Sequence, residues 1–321
     1  MNSQTKFLVS MLFIVVIVLC VVLTRFYFDV TKNTESSVRE NRVEAIVRNF
    51  GELQVFRSVN GSYGLLDADQ SVLIEPEWLE ILDVTDNLVL VSGRLENQIL
   101  TGGIDYEENV ILPFVFSSVK RLENGWHLAT VSDDGRCIVY DRNYHPVFQE
   151  SFLSVVCENS LMTVKNETET LYYNISEQVP ELYRAEFSCQ LSDKLALEWK
   201  IANQFYLSEL NASDLRRINQ IIPLYMQMLQ ENNFRNLGEV TSSEYFNTLV
   251  KNNPLSGMQF DSISHFAFSH RESGAYDFAF RMACHKSSAP EEQMQIHLYF
   301  RKNAENEMIL TAAELTSAAE E

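Results

Sequence analysis

Three rhythms of apolar and polar residues divide this chain. Phe7–Thr24, FLVSMLFIVVIVLCVVLT, is predominantly apolar over eighteen residues and carries no charge. From Val55 to about Ile175, short runs rich in Val, Ile, Leu and Tyr alternate with clusters of Gly, Asn, Asp and Pro. From Asn211 to Ala313 the pattern starts at helical spacing and ends in strict alternation.

The first rhythm predicts a membrane-spanning helix. At a rise of about 1.5 Å per residue the run reaches roughly 27 Å, close to the hydrocarbon thickness of a bilayer. It is longer than the roughly 7–15 residues of a signal-peptide core, and no small-x-small cleavage site follows it. Arg25-Phe26-Tyr27-Phe28 suits the headgroup layer. The expectation is an uncleaved single-pass anchor over 7–24, marked by Phe7, Ile14, Leu19 and Thr24, with a short tail at 1–6. The chain is then a cell-membrane protein whose first partner is the lipid bilayer and whose bulk is extracytoplasmic. In 25–50, Val38, Val43, Ile46, Val47 and Phe50 fall at roughly helical spacing and predict a juxtamembrane stalk or helix.

The second rhythm, over 51–180, repeats. One unit has Tyr63-Gly64-Leu65-Leu66-Asp67, then Val72–Pro76, then Leu88–Val91. The next has Gly103-Ile104-Asp105, Val110–Pro113 and His127–Val131, and a third has Cys137–Asp141, His145–Phe148 and Leu161–Val164. The intervals from Asp67 to Asp105, to Asp141 and to Asn174 are 38, 36 and 33 residues. Periods of 20–50 residues mark units that must stack to cover their apolar faces. Each predicts strand, polar turn, a strand ending at Pro, and a third strand, with the Asp accepting bonds from turn amides.

A connecting segment, 181–210, partly helical, leads to the third rhythm at 211–313, with a frayed tail at 314–321. Ser213 is placed to cap a helix whose stripe is Leu215, Ile218, Ile221, Ile222, Tyr225 and Leu229, kinked at Pro223 and stopped at Gly238. Thr241-Ser242-Ser243-Glu244 predicts a second helix ending before Pro254. Strands follow at Ile263–His270, Tyr276–Cys284, Met294–Phe300 and Glu307–Ala313. The fold class expected is α+β with an N-terminal transmembrane helix. An all-β repeat domain, an open curved or propeller-like stack of three-stranded units, precedes two helices on an antiparallel sheet.

The residues Tyr63–Asp67 with Ile74-Glu75-Pro76-Glu77-Trp78, and Gly103–Asp105 with Ile111–Phe114, resemble the bacterial WG-repeat family over about 120 residues. The third unit departs, with Arg136-Cys137 where an aromatic-Gly pair would stand. The resemblance implies a β-repeat interaction scaffold and carries no catalytic residues. The element order of the last module is similar to nuclear-transport-factor-two-like cone folds.

Composition narrows the partners. A formal charge of −19 excludes nucleic acid, whose phosphates need a basic surface. Residues 51–150 hold 17 acidic against 6 basic side chains. Cys137, Cys157, Cys189 and Cys284 form no C-x-x-C pair, so zinc spacing is absent and no cofactor is implied.

Candidate chemistry sits in the last module. His265, His285 and His297 converging with Asp277 inside a cone would supply a general acid–base pair, and the bland alternative is surface histidines. The aromatic row with Phe278, Phe280 and Phe300 lines either a ligand pocket or the core beneath the helices. No metal spacing, P-loop, dinucleotide fingerprint or G-x-S-x-G is present. The reading is a membrane-anchored, non-enzymatic binding protein with a protein or cell-envelope partner. The alternative is an enzyme or small-ligand binder with its pocket in the last module.

Overall fold

Alternation and tight turns dominate the chain, and the structure follows them further than expected. The computed structural model describes residues 43–176, 179–234, 241, 253, 255–286 and 290–317. Among the described residues strand accounts for 59% and helix for 10%, so the expected α+β class is corrected to an almost all-β fold with four antiparallel sheets there. The described chain divides into two compact units after Leu153, earlier than residue 180, where the sequence pattern ends the repeat region.

The first unit holds two sheets. One runs β1 (Val43–Phe50), β2 (Leu53–Ser58), β3 (Tyr63–Leu66) and β4 (Val72–Trp78). The other runs in sequence from β5 (Glu80–Thr85) through β6 (Leu88–Leu95), β7 (Gln98–Ile104), β8 (Val110–Arg121) and β9 (His127–Val131) to β10 (Cys137–Tyr140). Asp67 Oδ1 accepts from the amides of Asp69 and Ser71 at 2.9 and 2.8 Å. Asp105 and Asp141 do the same two and four residues on. In each turn the residue three past the Asp is left-handed: Gln70, Glu108 and Tyr144 have φ of 66°, 62° and 61°. The repeated Asp therefore closes one recurring hairpin turn.

Two details of the repeat differ from expectation. Pro76 and Pro113 lie inside β4 and β8, at register irregularities, where a missing N–H does not break the ladder. The units are also not separate three-stranded blocks. The strands of the first repeat unit lie in two sheets, β3 and β4 in one and β6 in the other, where β6 pairs with β7 of the second repeat unit. The aromatic positions after each Pro meet: Trp78 stacks on Phe114 with centroids 5.3 Å apart, within a core that includes Leu65, Ile74, Val89 and Ile104. Gly64 is required by this packing, because a Cβ there would lie 2.6 Å from the Phe56 ring and 2.7 Å from the Ile74 carbonyl oxygen.

The second unit has a sheet of β11 (Ser154–Glu158), β12 (Leu161–Lys165), β13 (Glu169–Asn174), β14 (Glu181–Ser192) and β15 (Leu195–Ile201). Two helices follow, α1 (Gln204–Glu209) and α2 (Ala212–Glu231). The last sheet is β16 (Gln259–His270), β17 (Tyr276–His285), β18 (Glu292–Lys302) and β19 (Met308–Ser317). The segment 181–210 is thus mainly a long hairpin. Leu197, Trp199 and Ile201 alternate inward along β15 with a period of two. Likewise the proposed stalk helix is corrected at its end, where Val43–Phe50 is a strand whose Ile46 and Val47 are exposed.

In α2 the stripe Leu215, Ile218, Ile221, Ile222, Tyr225 and Leu229 is fully buried, and the helix packs on β14 and β19. Its cap is Asn211 rather than Ser213. Asn211 Oδ1 accepts from the Asp214 amide at 3.0 Å while Asp214 Oδ2 accepts from the Asn211 amide at 3.1 Å. The helix continues through Pro223 to a left-handed C-cap at Asn232, and Gly238 lies outside the described residues. So does most of the second expected helix, and Thr241 instead makes a parallel bridge to Leu310.

The membrane expectation is also corrected. Among the described residues no helix is long and apolar enough to cross a membrane. The expected span, with Phe7, Ile14, Leu19 and Thr24, lies outside the described residues. Single-pass placement, the bilayer as partner and an extracytoplasmic address are withdrawn on this finding.

Candidate functional site in the C-terminal unit

The pairing register of the second unit sets up an open cleft of about 650 Å³. Glu169 on β13 lies opposite Phe187 on β14, which lies opposite Trp199 on β15. Phe266 of β16 lies beside this inward row, with Trp199 stacked on Phe187 at 4.5 Å and tilted against Phe266 at 5.9 Å. The β12–β13 turn, Asn166–Thr168, also lines the cleft, and Lys165, Thr170, Glu186, Ser188, Glu198 and Lys200 complete the lining.

Helix α2 holds this wall in place from behind. The Trp199 indole Nε1 donates to Asn219 Oδ1 at 2.8 Å, and Asn219 Nδ2 donates to the Ser188 carbonyl at 3.1 Å. The Glu169 carboxylate, 4% exposed, accepts from Arg216 Nε at 2.6 Å and from Asn166 Nδ2 at 3.3 Å. A buried charge needs such a partner to be tolerated. At the rim, partial burial raises the Glu186 carboxyl, but the Arg184 guanidinium and the Tyr172 hydroxyl outweigh it and hold it below the usual carboxylate value.

The residues anticipated for chemistry are placed elsewhere. Phe278, Phe280 and Phe300 are fully buried, so they belong to the core and not to a pocket wall. His265 is exposed at a bulge of β16 with φ 53°, its Nδ1 3.0 Å from Ser264 Oγ. His285 Nδ1 lies 2.6 Å from Asp261 Oδ2, away from the other histidines. Only Asp277 and His297 meet, at 3.0 Å. Asp277 is buried, and Arg271 Nη2 and Nε also donate to it at 2.8 and 3.1 Å. Arg271 lies 4.4 Å over the Tyr299 ring, and the Tyr299 hydroxyl donates to Glu314 at 2.8 Å. That network does not line the cleft. No group of metal-ligating side chains is present among the described residues.

A second polar cluster lies in the N-terminal unit. The Tyr144 hydroxyl and His127 Nε2 are 3.0 Å apart, with the rings stacked at 4.3 Å, and His127 is 1% exposed. Asp83 Oδ2 lies 3.7 Å from both His127 and Arg121. Burial raises the Asp83 carboxyl, yet His127, the Val84 amide and Arg121 together hold it below its ordinary value.

Comparison with known proteins adds little. No family model matches the chain. No curated protein sequence matches it. Among solved structures it is similar to the GH43 BlXynB protein from Bacillus licheniformis at 7% identity and a TM-score of 0.19, over 84% of this chain and 54% of that one. It is similar to the WD40 domain of SCAP from fission yeast at 7% identity and a TM-score of 0.21, over 87% and 75% of the two chains. The chain thus spans about half the length of the first of these. Likeness at this level carries no argument about fold or function.

Sequence reasoning missed Glu169, Phe187, Trp199, Arg216 and Asn219. Two signals were present. Glu169 shares the inward phase of Leu171 and Tyr173 along β13, and Asn219 is a polar residue inside the apolar stripe of α2. A polar side chain in a buried phase points to a bonded network.

Proposed function

We propose that this protein is a non-catalytic binding protein whose C-terminal unit holds a small molecule in the cleft between the Asn166–Thr168 turn and the β14–β15 hairpin. One observation carries the reading. A concavity of about 650 Å³ is lined by Phe187, Trp199 and Phe266 together with hydroxyl, amide and charged side chains. That mixture and size suit small-molecule sites, which fall at roughly 300–1,000 Å³. Binding without reaction is favoured because none of the candidate histidines lines the cleft, and Asp277 is already engaged by His297 and Arg271.

Filling the cleft tests this. The full chain and a Thr168→Trp variant are equilibrated with a small-molecule extract and the retained compounds are identified by mass spectrometry. Compounds enriched by the parent and lost in the variant are the expected result. An identical retained set, or none, overturns the reading.

The N-terminal unit is proposed as a contact scaffold of the WG-repeat kind, supported by the recurrence of one turn at Asp67, Asp105 and Asp141. A photo-crosslinker at the exposed Ile111 that captures no macromolecule in native extracts counts against it.

A further inference from the structure

We infer that the molecule held in this cleft is a short extended peptide, paired along the seam between β15 and β16; this rests on the cleft being the ligand site. β15 is the last strand of one sheet and β16 the first strand of the next. β15 pairs with β14 and β16 with β17, and among the described residues no backbone hydrogen bond joins β15 to β16. The two strands are nonetheless neighbours, with the Trp199 and Phe266 rings 5.9 Å apart. The cleft opens on this seam, where Glu198, Trp199 and Lys200 of β15 line it together with Phe266 of β16. Each outer edge carries a row of N–H and C=O groups that its own ladder leaves open. The ligand that matches such a row is another extended main chain.

A bulge in β16 shapes the seam. Ser264 stands opposite Arg281 and Ala267 opposite Ala279, so His265 and Phe266 together face Phe280. A bulge re-aims side chains and interrupts regular pairing, which limits the seam to a short segment. Phe266, half-buried, lies 4.5 Å from the Phe278 ring and close to Trp199. Side chains of an extended peptide alternate. One set meets the Phe266 ring and is best apolar. The other meets a rim where Glu167, Glu169, Glu186 and Glu198 outnumber Lys165 and Lys200. Glu169 and Glu186 are held by Arg216 and Arg184, but Glu198 has only Ser188 opposite it on β14. With a formal charge of −19 on the whole chain, this favours a peptide that alternates basic with apolar residues.

Calorimetry on the full chain tests this with an end-blocked peptide of alternating lysine and valine. The comparisons are its glutamate–valine counterpart and two N-methylated isomers, one methylated at the lysine amides and one at the valine amides. The lysine–valine peptide is expected to bind with a millimolar or tighter Kd, and the glutamate counterpart about tenfold more weakly. A strand seated between two edges uses both sets of amides, so each N-methylated isomer is expected to lose about tenfold or more. Phe266→Ala is expected to weaken the parent peptide about tenfold as well. Binding by neither unmethylated peptide, tighter binding of the glutamate counterpart, or either methylated isomer binding as well as the parent overturns the inference. The small-molecule extract applied to Thr168→Trp separates the two failures. Compounds lost in that variant while no peptide binds overturn the peptide class and leave the cleft a ligand site. No peptide bound and no compound lost overturns both.

Discussion

Trp199 on β15 and Asn219 on α2 are joined by a 2.8 Å hydrogen bond, and both are buried. Asn219→Leu leaves the indole N–H without an acceptor and the Ser188 carbonyl without one of its donors. The expected loss is about 1–3 kcal/mol, read by denaturant unfolding. A loss below about 0.5 kcal/mol would mean that water replaces the amide at this position.

The Glu169–Arg216 pair makes a contrasting prediction. Glu169→Gln removes the buried carboxylate charge from its bond to Arg216, whose side chain is a quarter exposed, and is expected to cost about 1–3 kcal/mol. The double substitution Glu169→Leu with Arg216→Met is expected to recover much of that loss. A double variant as unstable as the sum of the singles would show that the two residues act independently.

Gly64→Ala is expected to destabilise the N-terminal unit by about 1–3 kcal/mol through overpacking against Phe56 and the Ile74 carbonyl. Gln70→Gly goes the other way. It relieves a left-handed φ of 66° and is expected to raise stability by up to about 1 kcal/mol, measured as a shift in unfolding midpoint at constant m-value.

Asp83 has a depressed carboxyl pKa in the folded chain, from an ordinary value of 3.8. The folded state then binds fewer protons than the unfolded one, so its contribution is complete above pH 4 or so. It is lost as pH falls through the lower folded value. Asp83→Asn removes this contribution, and its stability is expected to approach that of the parent as pH drops below about 4. Parallel pH–stability curves for the two would refute it.

The parts of the fold readable in the sequence were those set by local periodicity and turn chemistry. The α2 stripe, the alternation of β17 and β18 and the Asp-closed turns all follow from residues within one element. What was missed depended on partners distant in sequence. The run Leu195-Leu197-Trp199-Ile201 reads as strand only once its period of two is weighed above its Leu content, and β14 supplies the hydrogen bonds that confirm it. The cleft was not legible because Glu169, Trp199 and Phe266 converge only through the strand register. Phe278 and Phe280 were easier to notice by their aromatic spacing, and for the same reason they were drawn into the core.

The placement of β6 has an evolutionary and mechanical consequence. It is the last strand of the first repeat unit, yet it pairs with β7, the first strand of the second, in a different sheet from β3 and β4. A motif therefore cannot be excised, copied or inserted as a self-contained cassette without severing hydrogen bonds on both sides. Length variation among sequences built this way should appear in the Asp-closed turns, and strain applied at one end should propagate through the sheet instead of peeling off single blocks.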